Sequence, residues 1–309
     1  MDFRRIPLSK VLLDESFSVS FPLSVELLQK SIKEKGILNP PLLRKKGNFF
    51  EVICGKRRIF VSKILGWNSV WSRVVVVSKK EGVLINIYDN LHRFLNSQEK
   101  INAVWGLHFI CKVSFKDIAS KFSSLLNLPP DPLYLRKISL LYGVEEEFKH
   151  LLSKEAISMD TVLRLIKIPS PYRKKIAHLL NTLGFGKNKN ERLSQFLLRA
   201  LRKRSYEYIF RYLDKFVKDV KLSPKDKYLK SVEFLSEIIA PTYKKTKDTI
   251  KSLLSKLDLE DIRIDFPQNL EAKTLTFSFN CSSTEDFIKI CGQMNNISID
   301  ILKKIFKIL

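Results

Sequence analysis

The sequence predicts an α+β protein in three parts: an α/β domain at residues 1–105, an all-α domain at 106–222, and a small αββα domain at 225–309. Three observations lead to this division. Short strands and helices alternate over the first hundred residues, apolar residues then recur at helical spacing to about residue 221, and two alternating strands lie between helices near the end. The dipeptide Ser223-Pro224 marks the second boundary.

Periodicity and turn residues define the elements of the first domain. Gly36 can close the first helix, and Lys46-Gly47-Asn48 forms a hairpin turn. The predicted elements are a helix over 25–35, strands over 42–44 and 49–54, a helix after Gly55 and a strand over 70–77. The side chains expected to be buried on the two helices are Leu27, Leu28, Ile32, Ile59, Phe60, Ile64 and Leu65.

The strand-to-helix turn in "VICGKRRIFVSKILGW" is suited to an anion. A helix N-terminus there would gather unpaired backbone N–H groups and the positive end of the helix dipole. Arg57 and Arg58 follow Gly55 directly, so a phosphate is the most natural ligand. An ordinary exposed basic first turn is the alternative, and these residues alone leave it open.

Helices continue through the middle of the chain. Ser97 begins one helix, and Ser114 should cap a second with Ile118, Ala119 and Phe122 facing inward. After "SSLLNLPPDP", a short helix carries Arg136 and Lys137 on its outer side, and a later helix carries the basic run Arg199, Arg202, Lys203 and Arg204.

The last part changes character after a helical stretch over 226–258 that Pro241 interrupts. Apolar and polar residues alternate over 262–266 and 275–279, which predicts two half-buried strands, and "STEDFIKICGQM" predicts a capped helix. A core this small often gains stability by pairing with a second copy, so we expect a homodimer.

The composition favours a folded protein that binds a polyanion. Hydrophobic residues make up 45% of 309 residues, and 55 Lys+Arg against 32 Asp+Glu give a net charge of +23 spread along the chain. Nucleic acid is the leading candidate for this partner, and an anionic membrane surface is the alternative. No apolar run approaches the length of a membrane span, and the N-terminus lacks the apolar core of a signal peptide, so we expect a cytoplasmic protein without a membrane partner.

The cysteines and histidines predict no metal centre. Cys54, Cys111, Cys281 and Cys291 lack metal-type spacing and stand in apolar contexts, so we expect reduced core residues. His108 lies three residues before Cys111 and could seat a metal, but core packing is the preferred interpretation.

Three segments, in order, carry a family resemblance. "EVICGKRRIFVSKILGW" resembles the GERRxxAAxxxG segment of ParB-like partition proteins, "DNLHRFLNSQEKINA" their ENLxRxxLNPxE segment, and "SFKDIASKF" with "LYLRKISLLYG" the helix-turn-helix that follows. The opening residues also look like that family's lead, and the tail is similar to its αββα dimerisation domain. The resemblance is strongest over residues 5–125 and weak at the tail.

The resemblance implies a dimeric, DNA-binding clamp with a ParB/sulfiredoxin-type N-terminal domain. In the family this domain binds CTP with Mg²⁺, nucleotide closes the clamp, the helix-turn-helix reads a centromere-like site, and a ParA-type ATPase is the usual partner in chromosome or plasmid partition. The implied nucleotide-binding residues are Gly55, Lys56, Arg57, Arg58, Asn90 and Arg93, with Asn90 also reaching Mg²⁺ through the nucleotide. The implied DNA-binding residues are Tyr134, Arg136, Lys137, Arg202, Lys203 and Arg204.

The sequence departs from the family pattern at several positions. Lys56 stands where the family has Glu, Asp89 replaces its usual Glu, and "SFSVSFP" at 16–22 lacks the arginine of its base-enclosing loop. "SSLLNLPPDP" is also longer than the usual four-residue turn of a helix-turn-helix. Sulfiredoxin chemistry is not expected, because Cys54 precedes Gly55 instead of following it.

Two other functions stay open beside the nucleotide-switched clamp. One is a DNA-binding transcriptional regulator that keeps the fold without a nucleotide switch. The other is a DNA-stimulated nucleotide hydrolase, for which Asp89 and Glu99 are the candidate catalytic carboxylates. Slow CTP hydrolysis in the first case is likewise left open.

Overall fold

The computed structural model describes residues 2–13, 17–21, 25–257, 259, 261–266 and 274–308, apart from the side chains of 242–244. These residues form an α+β protein, as the sequence predicts. The chain divides into two compact units, one made of residues 1–198 and 206–228, the other of 199–205 and 229–309. The predicted division of the first unit into an α/β and an all-α domain stays a prediction.

A five-stranded mixed sheet organises the start of the first unit. Its strands, in chain order, are β1 (Asp2–Pro7), β2 (Val11–Leu12), β3 (Leu42–Lys46), β4 (Phe49–Cys54) and β5 (Ser69–Val75). The spatial order is β1-β5-β3-β4-β2. The β1–β5 and β3–β4 pairs are antiparallel, whereas the β5–β3 and β4–β2 pairs are parallel.

Helices cover both faces of this sheet. The helices are α1 (Glu26–Lys35), α2 (Lys56–Ile64) and α3 (Lys79–Asn90). Ile59 of α2 joins the core of one face with Leu43 and Val52. Ile85 of α3 packs on the other face beside Ile53. Strand β4 is therefore packed on both faces of the sheet, and this packing fixes the position of the Cys54–Gly55 corner that follows it.

The rest of the first unit is helical. Its helices are α4 (Ser97–Trp105), α5 (Phe115–Lys121), α6 (Ser123–Leu126), α7 (Pro132–Ser139), α8 (Glu146–Ser153), α9 (Met159–Leu165), α10 (Ser170–Leu183), α11 (Lys187–Ala200) and α12 (Tyr206–Lys218). A π-helical turn, Gly106–Ile110, follows α4 directly. Because α4 packs against α7 and α8, the element that leaves the α/β region is also part of the helical core.

The second unit contains the predicted helix–strand–strand–helix order. Its elements are α13 (Pro224–Ile239), α14 (Pro241–Leu254), β6 (Ile262–Asp265), β7 (Thr276–Phe279), α15 (Thr284–Asn295) and α16 (Ile299–Ile308). The first residues of α13, through Tyr228, belong to the first unit. Strands β6 and β7 pair antiparallel, and Ser283 caps α15, as expected. Helix α16, which was not predicted from the sequence, packs on α14.

Several burial predictions are wrong. Leu27 is 88% exposed and Ile64 is 48% exposed, because α1 and α2 each turn a narrower apolar face to the core than the sequence pattern implies. Cys281 is exposed and Cys291 is partly exposed, so the expected burial holds for Cys54 and Cys111 alone. Cys281 lies between β7 and α15, where the chain runs at the surface.

Candidate functional site

The corner between β4 and α2 has the backbone geometry of an anion cradle. Gly55 adopts a left-handed conformation (φ +85°) as the N-cap of α2. A Cβ at this position would lie 3.0 Å from Pro41 Cβ and 3.1 Å from Arg58 Nη1. Glycine is therefore required here both for backbone conformation and for space, and the N-terminus of α2, the positive end of its helix dipole, begins at this corner.

Two guanidinium groups come together next to this corner. Burial, and then the positive charge of Arg93, lower the pKa of Arg57, while Glu99 opposes this shift. Arg57 and Arg93 are 36 positions apart in the chain, and the packing of α3 against β4 brings them within electrostatic reach. Like charges held together in a partly buried place are an arrangement that an added anion stabilises.

Arg93 is held by Glu99 and Asn90. Arg93 Nη1 donates to Glu99 Oε2 at 2.8 Å, and Nη2 donates to Glu99 Oε1 at 2.8 Å. Nη2 also donates to Asn90 Oδ1 at 2.8 Å, and Nη2 contacts Ser20 Oγ at 3.2 Å. Glu99 is fully buried, so Arg93 supplies the counter-charge that a carboxylate in the interior requires.

Polar side chains of α3 and α4 hold the segment Phe17–Phe21 beside this pair. Val19 N–H donates to Asn86 Oδ1 at 2.9 Å, and Asn102 Nδ2 donates to the Val19 carbonyl at 3.1 Å. Phe21 N–H donates to Glu99 Oε1 at 3.1 Å, and Asn96 Nδ2 donates to the Phe21 carbonyl at 2.8 Å. The described part of the atypical "SFSVSFP" loop is thus ordered by protein groups, whereas residues 16 and 22 lie outside the described residues.

The sequence analysis did not assign a role to Asn86, Asn96 or Asn102. One signal was available for Asn96, because Asn-x-x-Glu is a capping-box pattern. Asn96 Oδ1 accepts from Glu99 N–H at 3.0 Å, and Glu99 Oε2 accepts from Asn96 N–H at 3.1 Å. Asn96 is therefore the N-cap of α4, which begins at Ser97 as predicted.

Charged side chains surround Cys54, among them the nucleotide candidate Arg58. Burial, and then the nearby carboxylate of Asp89, raise the pKa of the Cys54 thiol well above its ordinary value, while Arg73 and Arg58 oppose the shift. Asp89 is exposed on α3, and Arg58 folds back over Gly55. Lys56 is partly buried at the first position of α2. The six implied nucleotide residues thus lie on the Gly55 turn and the end of α3.

These residues suit a nucleotide triphosphate. Three arginines, a glycine cradle and a helix N-terminus form the donor set, and oxygen-rich anions are what such donors bind. The described side chains by themselves do not form a Mg²⁺ site, so this ion would need the phosphates of a bound nucleotide as ligands. Among the described residues, no group of three or more His, Cys, Asp or Glu could hold a metal ion, and Asn90 Oδ1 already accepts from Arg93. Mg²⁺ would be held mainly by phosphates, as is usual for this ion.

Neither candidate catalytic carboxylate is placed as a free general base. Both oxygens of Glu99 accept hydrogen bonds from Arg93, and Glu99 also accepts from the backbone of Asn96 and Phe21. Asp89 lies against the Cys54 thiol. A base must be within hydrogen-bond reach of the proton that it removes, and Glu99 has its lone pairs occupied.

Helices α5 and α7 form a compact pair with an ordered connection. Ser114 caps α5, and Ile118, Ala119 and Phe122 are buried, as predicted. The inserted "SSLLNLPPDP" contains the short helix α6 and ends at Pro132, the first residue of α7. The side chain of Asp131 accepts from Leu133 N–H at 2.8 Å and caps α7. The insertion therefore does not loosen the start of α7.

The predicted DNA-binding residues differ in their surroundings. Arg136 and Lys137 are exposed on α7. Tyr134 is partly buried, its hydroxyl points toward Met159 Sδ at 4.0 Å, and burial together with Asp160 raises its pKa. Tyr134 therefore packs toward α9 instead of sharing the exposed face of α7.

Arg199 of the later basic run lies in the last turn of α11, but its other three residues do not lie on a helix, contrary to the prediction. Arg202, Lys203 and Arg204 occupy the turn between α11 and α12, within the second compact unit. Lys203 Nζ donates to the carbonyl of Ile239 at 2.5 Å, at the end of α13. A cation at a helix C-terminus is favourable, so Lys203 has a structural role in addition to any role with DNA.

His108 packs in an aromatic cluster, in line with the interpretation of this residue as a packing residue and not a metal ligand. Its ring stacks on Phe115 with centroids 4.0 Å apart, and Nδ1 hydrogen-bonds with the Val113 carbonyl at 2.9 Å. None of the described helices combines the length and apolar character that crossing a bilayer requires.

Comparison with known proteins gives a consistent match in the first unit. Residues 19–91 match the ParB N-terminal domain family. The chain is 40% identical over 85 residues to a probable plasmid-partitioning protein ParB of Thermus thermophilus, covering 27% of this chain and 29% of that protein. It is 36% identical over 72 residues to a probable chromosome 1-partitioning protein ParB of Deinococcus radiodurans, covering 23% and 25%.

A solved structure is also similar. The C-terminally truncated ParB of Caulobacter crescentus, complexed with CTP-gamma-S, is 18% identical and aligns over 58% of this chain and 99% of that one, with a TM-score of 0.28. The matched segments span less than a third of the length of the two curated relatives.

Proposed function

On the premise that residues 19–91 form a ParB N-terminal domain, we propose that the chain is a DNA-binding partition protein with a CTP-dependent switch. The observation that supports the nucleotide site is the glycine corner at the N-terminus of α2, where Gly55 has positive φ and Arg58 Nη1 lies 3.1 Å from the position that a Cβ would take. Bound CTP with Mg²⁺ would supply a polyanion that neutralises these groups. Arg57, Arg58 and the α2 N-terminus would hold phosphates, with Asn90 at the end of the facing helix α3 and Arg93 just beyond it.

The ion pair of Arg93 and Glu99 offers a route from this site to the helical region. Phosphates that attract Arg93 would weaken its hold on Glu99, which caps α4 and binds Phe21 N–H. The first turn of α4 is also tied to the helical region, since Ser97 N–H donates to Glu155 Oε1 at 2.7 Å and Ser97 Oγ donates to Oε2 at 2.9 Å. Nucleotide binding at Arg93 would thus change the contacts of the first turn of α4 with the helical region.

DNA binding would use α7, with Arg136 and Lys137 reading bases in the major groove. The turn that carries Arg202 and Arg204 would contact phosphates, as its charge favours. The proposed working form is a cytoplasmic, nucleoid-associated homodimer with a ParA-type ATPase as partner. Slow CTP turnover is not part of the proposal, because Glu99 is fully occupied.

A second candidate function is a DNA-binding regulator without a nucleotide switch. The observation that favours it is that Arg93 already donates hydrogen bonds to Asn90 and Glu99. Arg93 therefore has protein partners without a bound ligand. Both candidates predict duplex DNA binding, and they differ only in the response to CTP.

Isothermal titration with CTP, ATP, GTP and UTP in the presence of Mg²⁺ separates the two. Arg57→Ala should weaken CTP binding roughly ten- to a hundredfold, since hydrogen bonds to charged groups contribute about 1.5–3 kcal/mol. The matched control is Lys63→Ala, which removes a cation from the far end of α2 and should leave CTP affinity unchanged. Equal CTP affinity in Arg57→Ala and the natural chain would contradict the proposed nucleotide site and favour the regulator without a nucleotide switch.

Arg136→Ala tests the DNA part separately. Losing a guanine contact should cost about 1–3 kcal/mol on the preferred duplex and relax selectivity there. Lys174→Ala, an exposed cation on α10, is the control and should not change the preferred sequence. An unchanged preferred sequence and affinity in Arg136→Ala would mean that α7 does not read DNA.

A further inference from the structure

Four exposed side chains share one face of α7 and the turn that continues it. Leu133 is 66% exposed and Leu140 is 62% exposed, and Arg136 and Lys137 lie exposed between them. The positions follow the spacing i, i+3, i+4 and i+7, which places all four on one side of a helix. We call these four residues the α7 stripe.

The stripe is not needed for the protein core. The opposite side of α7 buries Leu135, Ile138 and Leu141 completely. Leucines in the stripe therefore add nothing to that core, and in water they leave apolar area exposed that burial would stabilise. Two leucines that frame two cations are a surface built for contact with a ligand that is partly apolar and strongly anionic.

The surrounding charge selects DNA as that ligand. Lys112, Lys116 and Lys121 are exposed on and beside α5, the helix that packs against α7. Protein interfaces are depleted in lysine, whereas the phosphate backbone of a duplex requires such cations. The carboxylate of Asp131 is engaged as the cap of α7, which limits its repulsion of a polyanion.

We propose that Leu133 and Leu140 contact the 5-methyl groups of thymines that flank the bases read by Arg136 and Lys137. The proposal rests on the proposed function, that is, on α7 entering the major groove. Thymine presents its 5-methyl group there, and apolar side chains recognise it. Seven residues of helix span about 10.5 Å, which is about three base-pair steps of roughly 3.4 Å. The preferred site therefore carries thymines about three steps apart, with guanine between them.

Uracil substitution tests the contact atom by atom. The preferred duplex is first selected from a randomised duplex pool with the full chain. Each thymine of that duplex is then replaced in turn by deoxyuridine, which removes only the methyl group, and affinities are measured for the natural chain, Leu133→Ala and Leu140→Ala. The natural chain should lose about fourfold at two positions, equivalent to about 0.8 kcal/mol for one buried methyl-sized group. Each leucine variant should bind thymine and uracil equally at one of these positions.

Leu27→Ala is the matched control, because this leucine is exposed on α1 and outside the stripe. It should keep the full difference between thymine and uracil. Selection of a site whose affinity no uracil changes would overturn the inference and leave DNA binding intact. The same is true of a uracil effect that both leucine variants retain. Failure of the full chain to select any duplex would overturn the inference and the proposed DNA binding together.

Discussion

Arg93 and Glu99 form a two-point ion pair in which Nη1–Oε2 and Nη2–Oε1 both measure 2.8 Å, and Glu99 has no exposed surface. Glu99 also caps α4 and accepts a hydrogen bond from the backbone N–H of Phe21. The pair therefore also stabilises the start of α4 and the position of Phe21. A residue that resembles a phosphate ligand is thus also a structural partner of a buried charge. The consequences for stability and for nucleotide binding can be separated.

Arg93→Ala should lower the free energy of unfolding by about 3–5 kcal/mol, because it leaves a buried carboxylate without its partner. Lys121→Ala is the control, since Lys121 and Asp117 form an exposed pair at 3.5 Å, and it should cost no more than about 1 kcal/mol. Urea denaturation measures both. Adding Glu99→Gln to Arg93→Ala should recover part of the loss, and equal losses in the two single variants would contradict the role of the pair.

Gly55→Ala should destabilise the chain more than Gly66→Ala. Both glycines have positive φ, which costs a non-glycine residue roughly 1–2 kcal/mol. Only at Gly55 would the new Cβ also meet the Pro41 backbone at 3.1 Å, whereas nothing lies within 4 Å at Gly66. Thermal melting of the two variants shows the difference. A Gly55→Ala protein as stable as Gly66→Ala would mean that the Pro41 contact relaxes freely.

The second unit is expected to hold the protein as a dimer. Phe287 and Ile288 on α15, and Ile299 on α16, are between 47% and 67% exposed, which is costly for so small a core. Ile288→Asp should convert the dimer into a monomer in multi-angle light scattering, while Val220→Asp, at a surface position in the first unit, should not. Truncation after Tyr228 should also give a folded monomer, because the first residues of α13 belong to the first unit. A monomeric natural chain at micromolar concentration would contradict this expectation.

Thiol labelling should distinguish the four cysteines. Burial and Asp89 raise the pKa of Cys54, so at pH 8 this thiol stays protonated and should not react in the native protein. Burial also raises the pKa of Cys111. Cys281 is exposed and should give the fast phase with Ellman's reagent. Cys281→Ser should remove that phase, and its persistence would show that another thiol is accessible.

The pair of Glu145 and Arg173 should make stability depend on acid. Burial opposes ionisation of Glu145, but its hydrogen bonds with Arg173, at 2.8 Å from Nε, prevail and lower its pKa. A lowered pKa in the folded state means that the contribution is present above the ordinary value of 4.5 and is lost as pH falls below it. Glu145→Gln should therefore flatten the acid limb of a pH–stability curve. An acid limb as steep in Glu145→Gln as in the natural chain would contradict this role of the pair.

Local sequence determined most of the secondary structure of this protein. Ser114 caps α5 because its hydroxyl reaches a backbone N–H three residues later, and Gly47 adopts positive φ in the turn between β3 and β4. Such features depend on residues within one turn of each other, and the alternation that predicted β6 and β7 is equally local. The order of short motifs likewise pointed to the Gly55 corner without any coordinates.

The tertiary structure alone decided which protein groups are the hydrogen-bond partners of the site residues. Phe21 and Glu99 are 78 positions apart, and Val19 and Asn86 are 67 apart, so no periodicity could predict their hydrogen bonds. Packing also decided that Leu133 faces outward while Leu135 is buried, and that Cys281 lies at the surface. A side chain's partner depends on which distant segments the core brings beside it, whereas a helix cap or a turn depends on neighbours in the chain, and this is why the elements were predictable and the pairing of Arg93 was not.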